Sequence, residues 1–134
     1  MAVSLETYEE MTAAYTAAWN SGDPAAVADF YAPGKGITIN RGENQFGREA
    51  MLAMSGGFMA AFPDLKLTRN FIRLAGDHAV YGWTLEGHHA ETENFVKAKG
   101  WEEWELDDQC RITNSLGWFD AADYERQVAG GDAG

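Results

Sequence analysis

The feature that most constrains this chain is a change of hydrophobic period part-way along it. Up to Phe62 the apolar residues recur at the three- and four-residue spacing of helices, and from Leu65 onward they alternate every second residue, as half-buried strands do. Tyr8, Met11, Tyr15, Ala18 and Trp19 form one stripe behind a Ser4 cap and an acidic first turn, which predicts a helix over Leu5 to Asn20. Ser21-Gly22 ends it. Asp23-Pro24, a capping acid before a proline at the first helical position, starts a short second helix to Tyr31. Ala32-Pro33-Gly34 stops that one, Ile37 to Asn40 reads as a short β-branched strand, and Gly42 and Gly47 bracket a loop. Met51, Leu52, Met54, Phe58, Met59 and Phe62 predict a third helix from Arg48. Gly56-Gly57 weakens it by about 1 kcal/mol per glycine against alanine and marks where it can bend.

The period-two half divides into Leu65 to Leu74, Ala79 to His89, Phe95 to Asp107 and Cys110 to Phe119, with turns at Gly76-Asp77 and Asp107-Asp108-Gln109. Asp120 caps a last short helix through Gln127. Helices followed by a meander of long strands imply an α+β fold, in which three N-terminal helices pack on one face of a curved, cone-shaped antiparallel sheet. Trp83 and Leu85 alternate with Thr84 and Glu86, and Trp104 and Leu106 repeat the pattern, so one face is buried and the other wetter. At 134 residues the chain is expected to form a single domain over 1–129, with 130–134 a flexible tail.

Charge and cysteine content narrow the function classes. Ten Lys and Arg against 21 Asp and Glu give a net charge of −11, which disfavours nucleic acid and anionic membrane surfaces as partners. The lone Cys110 cannot close an intrachain disulfide, and without a basic, apolar leader or a membrane-length apolar run the expected location is the cytoplasm. No Cys/His spacing suits zinc. The acidic run Glu102, Glu103, Glu105, Asp107 and Asp108 divides between two strand faces and lacks a calcium-loop glycine, so no metal is expected. Gly-rich phosphate loops are absent, so no nucleotide cofactor is expected either.

Four segments carry a family likeness over nearly the whole chain: Tyr15-Thr16-Ala17-Ala18-Trp19-Asn20-Ser21-Gly22-Asp23, Phe62-Pro63-Asp64-Leu65, Gly87-His88-His89 and Gly117-Trp118-Phe119-Asp120. The layout resembles the cone-shaped fold shared by nuclear transport factor two, steroid delta-isomerases, limonene epoxide hydrolase and SnoaL-like polyketide cyclases. The Phe-Pro-Asp and Gly-x-His elements look most like the SnoaL-like branch. By this resemblance Tyr15 falls at the oxyanion-donating tyrosine of the isomerases, and Glu102 at their second, protonated-acid donor. Asn40 falls where those enzymes place a carboxylate base, and Gly117 about where the hydrolase and cyclase branches place an aspartate, so both carboxylates are missing. His89, with His88 beside it, falls at the histidine of the cyclase branch.

Each residue also has a bland reading. Tyr15 lies on the apolar stripe of the first helix and fits a core tyrosine; Glu102 fits a solvated glutamate if a bulge at Gly100 reverses the strand phase. His89 is favoured over His88 because alternation from Trp83 and Leu85 points it inward. Trp19, Trp83 and Trp104 suit both a core and the wall of an apolar pocket, and Cys110 has no base to pair with. Two expectations follow. One is a cofactor-free enzyme performing acid/base isomerisation, cyclisation or hydration on a small hydrophobic carbonyl compound, with Tyr15, His89 and Glu102 catalytic and Trp19, Asn40, Trp83 and Trp104 binding substrate. The other is a non-catalytic ligand-binding module, and in either case a homodimer through the outer sheet face with Trp101 as an anchor.

Overall fold

The buried stripe of the first helix, Tyr8, Met11, Tyr15, Ala18 and Trp19, lies along the inner face of the sheet, and the Ser4 hydroxyl caps it by accepting from the Thr7 amide. This helix is α1 (Leu5–Asn20) in a computed structural model that describes residues 3–130. The Asn20 side chain closes its end onto the sheet, donating to the Leu67 carbonyl at 2.9 Å and accepting from the Leu67 amide at 2.6 Å. Helix α2 (Pro24–Ala28) stops three residues before the expected Tyr31. Phe30 and Tyr31 are drawn into the sheet instead: the Ile112 amide donates to the Phe30 carbonyl at 2.9 Å, and Tyr31 bridges Ile112 in parallel. Helix α3 (Arg48–Ala61) runs through Gly56-Gly57 uninterrupted.

Six strands form one curved, unclosed sheet in the order β2-β1-β6-β5-β4-β3. Strands β3 (Lys66–Ala75), β4 (His78–His88), β5 (Phe95–Leu106) and β6 (Ile112–Phe119) are the expected meander. Strand β1 (Gly36–Ile39) adds to β6 in parallel, and β2 (Asn44–Phe46) closes that edge antiparallel to β1. Strand β2 lies in the segment read as a loop; all three of its residues are exposed, so no alternation signals it. The tail beyond Gly130 lies outside the described residues.

Strand phase decides what faces the helices. Along β5, Ala98, Glu102, Trp104 and Leu106 are buried and Trp101 and Glu105 exposed, so the phase read from Trp104 and Leu106 holds through Gly100. The irregularity in this ladder falls at Glu105/Leu106, beyond the residues that matter for the site. On the outer face an aromatic row crosses four strands through the register Phe71↔Gly82, Gly82↔Trp101 and Trp101↔Trp118. The Phe71 ring lies across Gly82, where any β-carbon would collide with it. No described helix is long and apolar enough to cross a membrane.

Helix α4 (Ala121–Val128), capped by Asp120, is pinned where β6 has run out. There Gln127, 5% exposed, takes over the ladder: its Oε1 accepts from the Lys97 amide at 2.6 Å and its Nε2 donates to the Lys97 carbonyl at 3.1 Å. Asn94 adds a bond to the Val128 carbonyl at 2.9 Å. Gln127→Ala strands both Lys97 groups and should cost about 1–3 kcal/mol in denaturant unfolding. Hydrogen exchange should show α4 losing protection well before β5 does.

Candidate active site

Between α1, α3, α4 and the inner sheet face lies an apolar cavity of about 60 Å³ measured as space open to the centre of a water molecule. Its aliphatic wall includes Ile37, Ile39, Met54, Leu67 and Leu85. Five rings complete it, Trp19, Phe58, Trp83, Phe119 and Tyr124, and they pack on one another: Trp19 on Phe58 at 6.1 Å, Trp83 on Phe119 at 6.2 Å, Phe119 on Tyr124 at 5.7 Å. Gly100 permits this packing, because any side chain there would run into the Trp83 ring. Gly117 also lines the cavity, directly opposite Glu102 in the β5–β6 ladder.

Among the described residues Glu102 is the only carboxyl in this wall. It is 7% exposed, and burial pushes its pKa up to about 8, opposed only by the hydrogen bond it receives from Tyr15. An ionised carboxylate here would lose its hydration with no cation in return, so the neutral acid is the resting form at pH 7. The Tyr15 hydroxyl donates to Oε1 at 3.3 Å, and among the described residues no hydrogen bond reaches Oε2.

Behind Glu102 the polar atoms are paired. The Trp104 indole, which can only donate, donates to Ser115 Oγ at 3.0 Å, and the Tyr31 and Tyr15 hydroxyls meet at 3.3 Å. Burial, and then the nearby Glu102 charge, raise the pKa of both Tyr15 and Tyr31 above the usual phenol range. Tyr15 is wholly buried and edge-on to Trp104, Tyr81, Phe30 and Trp19, so it meets Glu102 from behind rather than from the cavity.

The structure therefore brings Tyr15, Glu102, Trp19 and Trp83 together and sets the other three expected site residues apart. Trp104 is fully buried, stacked on Tyr81 at 5.2 Å, behind the carboxyl and outside the cavity wall. Asn40 adopts φ 49° just past β1; its amide donates to the Gly117 carbonyl at 2.8 Å and its Oδ1 accepts from the Phe119 amide at 3.0 Å. It fixes two cavity residues without reaching the cavity. His89 falls one residue past the end of β4, where alternation no longer governs direction; its Nδ1 accepts the Glu91 and Thr92 amides at 3.3 and 3.4 Å and its ring packs on Phe62. His88 points outward to Asp64, 2.6 Å away, whose carboxyl it holds below the usual carboxylate range. Sequence reasoning missed Phe58, Tyr124, Tyr31 and Ser115. Among the described residues no group of three or more His, Cys, Asp or Glu could hold a metal ion.

A family model described as SnoaL-like polyketide cyclase matches residues 9–128. The chain belongs to this family. Solved structures share its fold. TsrD from Streptomyces laurentii is 20% identical with a TM-score of 0.82, over 94% of this chain and 97% of that one. A hypothetical protein of ketosteroid isomerase-like fold from Catenulispora acidiphila, in complex with trimethylamine, is 20% identical with a TM-score of 0.81, over 92% and 95%. SalBIII, described as an epoxide hydrolase/cyclase-like enzyme in pyran ring formation, is 15% identical with a TM-score of 0.78, over 88% and 94%. No curated protein matches the sequence.

For this SnoaL-like protein the raised Glu102 pKa fixes the sign of a pH dependence. The folded state holds this proton more tightly than the unfolded chain, whose carboxyl titrates near 4.5. The stabilisation is complete below that value and is lost as pH rises towards about 8. Across this window Glu102 should contribute a fall of at most about 1.4 kcal/mol per pH unit. Unfolding free energies of the wild type and Glu102→Gln measured against pH should differ by this slope, and carboxyl NMR should place the Glu102 midpoint near 8.

Proposed function

We propose that this chain is a cofactor-free enzyme that uses Glu102 as a general acid in the isomerisation, cyclisation or hydration of a small hydrophobic carbonyl compound. The observation that carries this reading is a buried carboxyl, held at Oε1 by Tyr15, on an otherwise apolar and aromatic wall. An acid whose pKa lies near the working pH transfers its proton efficiently, and the rings exclude the water that would compete for it. Tyr15 and Tyr31 are positioning residues, orienting the carboxyl. His89 does not line the cavity and its Nδ1 accepts two turn amides, so this reading gives the proton transfer to Glu102. Family membership supports the cyclase end of this range, as does the neighbour described in pyran ring formation.

The absence of a second carboxylate at Asn40 and Gly117 favours one other reading, a ligand-binding module without turnover. A panel of hydrophobic ketones and enones, screened by thermal shift and then for conversion, separates the two. On a converted substrate, Glu102→Gln should keep binding and lose at least about a hundredfold in kcat. Tyr15→Phe removes the bond that lowers the Glu102 pKa, so the alkaline limb of the kcat/KM profile should move up. Ligands that bind without conversion, equally well to both variants, would leave the binding module.

A homodimer through the outer sheet face completes the proposal. Phe71 and Trp101 stand 44% and 42% exposed in one aromatic row, more apolar surface than a solvated sheet face needs. Sedimentation should give twice the 14.7 kDa chain mass, and Trp101→Glu should return it to the monomer.

A further inference from the structure

Two kinds of charge can develop when an acid acts on a carbonyl compound, and the cavity wall discriminates between them. A negative oxygen needs several hydrogen-bond donors converging on one point. Tyr15 is committed to Glu102 from behind, the Trp104 indole to Ser115, and the Trp118 indole donates to Glu103 at 2.7 Å on the outer face. Among the described residues the donors left on the wall besides the acid are the Tyr124 hydroxyl and the Trp19 and Trp83 indole N–H groups, and these stand on three separate elements, α4, α1 and β4. A positive carbon needs no donors. It is stabilised by the electron-rich faces of aromatic rings, most strongly where water is excluded, and by a carboxylate that has just given up its proton. Trp19, Phe58, Trp83, Phe119 and Tyr124 surround the same space as Glu102.

We propose that the transition state this cavity accommodates carries positive charge on carbon, and that its substrate is a small hydrophobic ketone or aldehyde bearing its own hydroxyl. The Glu102 O–H bond breaks as its proton passes to the carbonyl oxygen, and the C=O π pair moves onto that oxygen. The carbon, now cationic, is held among the Trp19, Trp83 and Phe119 rings beside the Glu102 carboxylate. The hydroxyl of the same molecule bonds to that carbon and sheds its proton, which returns to Glu102. The product is a cyclic isomer, the acid is regenerated, and no oxidant, reductant or cofactor enters. This inference rests on the reading of Glu102 as proton donor and adds the sign of the charge that follows.

The test uses stable mimics of the two charges. Choline presents a fixed positive centre of the size of a substituted carbocation, dimethylbutanol is its neutral isostere with carbon in place of nitrogen, and nitrophenolate mimics an oxyanion. Binding is followed by calorimetry in two buffers of different ionisation enthalpy. Choline should bind the wild-type protein at least tenfold more tightly than dimethylbutanol, release close to one proton from Glu102 at pH 7, and tighten as pH rises to about 8. Glu102→Gln should abolish both the proton release and the preference. Phe119→Leu should weaken choline at least fivefold while leaving dimethylbutanol within twofold, and Trp83→Leu gives an independent second ring should either variant fold poorly. Equal binding of choline and its isostere, tighter binding of nitrophenolate, or binding of none of the three overturns the inference. Conversion of a ketone that depends on Glu102 would, in that event, still leave the general-acid reading standing.

Discussion

Everything in the site depends on the cost of taking the Glu102 carboxyl out of water. Strand β5 delivers it to the inner face with the same regularity that buries Ala98, Trp104 and Leu106, and no lysine or arginine accompanies it. Neutralisation by a proton is the cheapest remedy left to it, and that remedy makes it an acid. The bonds from Trp104 to Ser115 and from Tyr15 to Tyr31 and Glu102 are the other half of the arrangement. They satisfy the buried hydroxyls and bring one donor to one carboxyl oxygen, which tempers the shift without ionising the group.

How much of this was legible in the sequence follows from how far each signal reaches. Alternation is rigid along an unbroken ladder, so the spacing of Trp104 and Leu106 was enough to turn Glu102 inward and Trp101 outward. The same reasoning does not reach His89, because a strand's phase ends with its hydrogen bonds and β4 ends at His88; the ring packs on Phe62 and is not part of the cavity wall. Asn40 was placed by analogy with a base, yet its role is set by a left-handed backbone angle and by bonds to β6, neither of which periodicity encodes. Tyr31 meets Tyr15 only because Phe30 and Tyr31 abandon the helix for the sheet.

The residues at the two positions without a carboxylate serve the frame of the cavity. Asn40 holds the Gly117 carbonyl and the Phe119 amide, so the position is committed to shape. The tryptophans divide in the same way: Trp19 and Trp83 meet the cavity, while Trp104 braces Glu102 from the core and Trp118 faces the outer surface beside Trp101.

Gly117 has a consequence for how this chain could diverge. It faces the cavity opposite Glu102, and the nearest atoms a β-carbon there would meet belong to the Ile37 and Ile39 side chains, at 3.4 to 3.9 Å, which is ordinary contact distance. A single substitution to aspartate would set a second carboxyl across the ladder from the first without disturbing the backbone. Two acids so placed cannot both ionise, so their proton affinities would separate and one fold would acquire a base beside its acid. The present sequence stands one substitution from a paired-carboxyl wall.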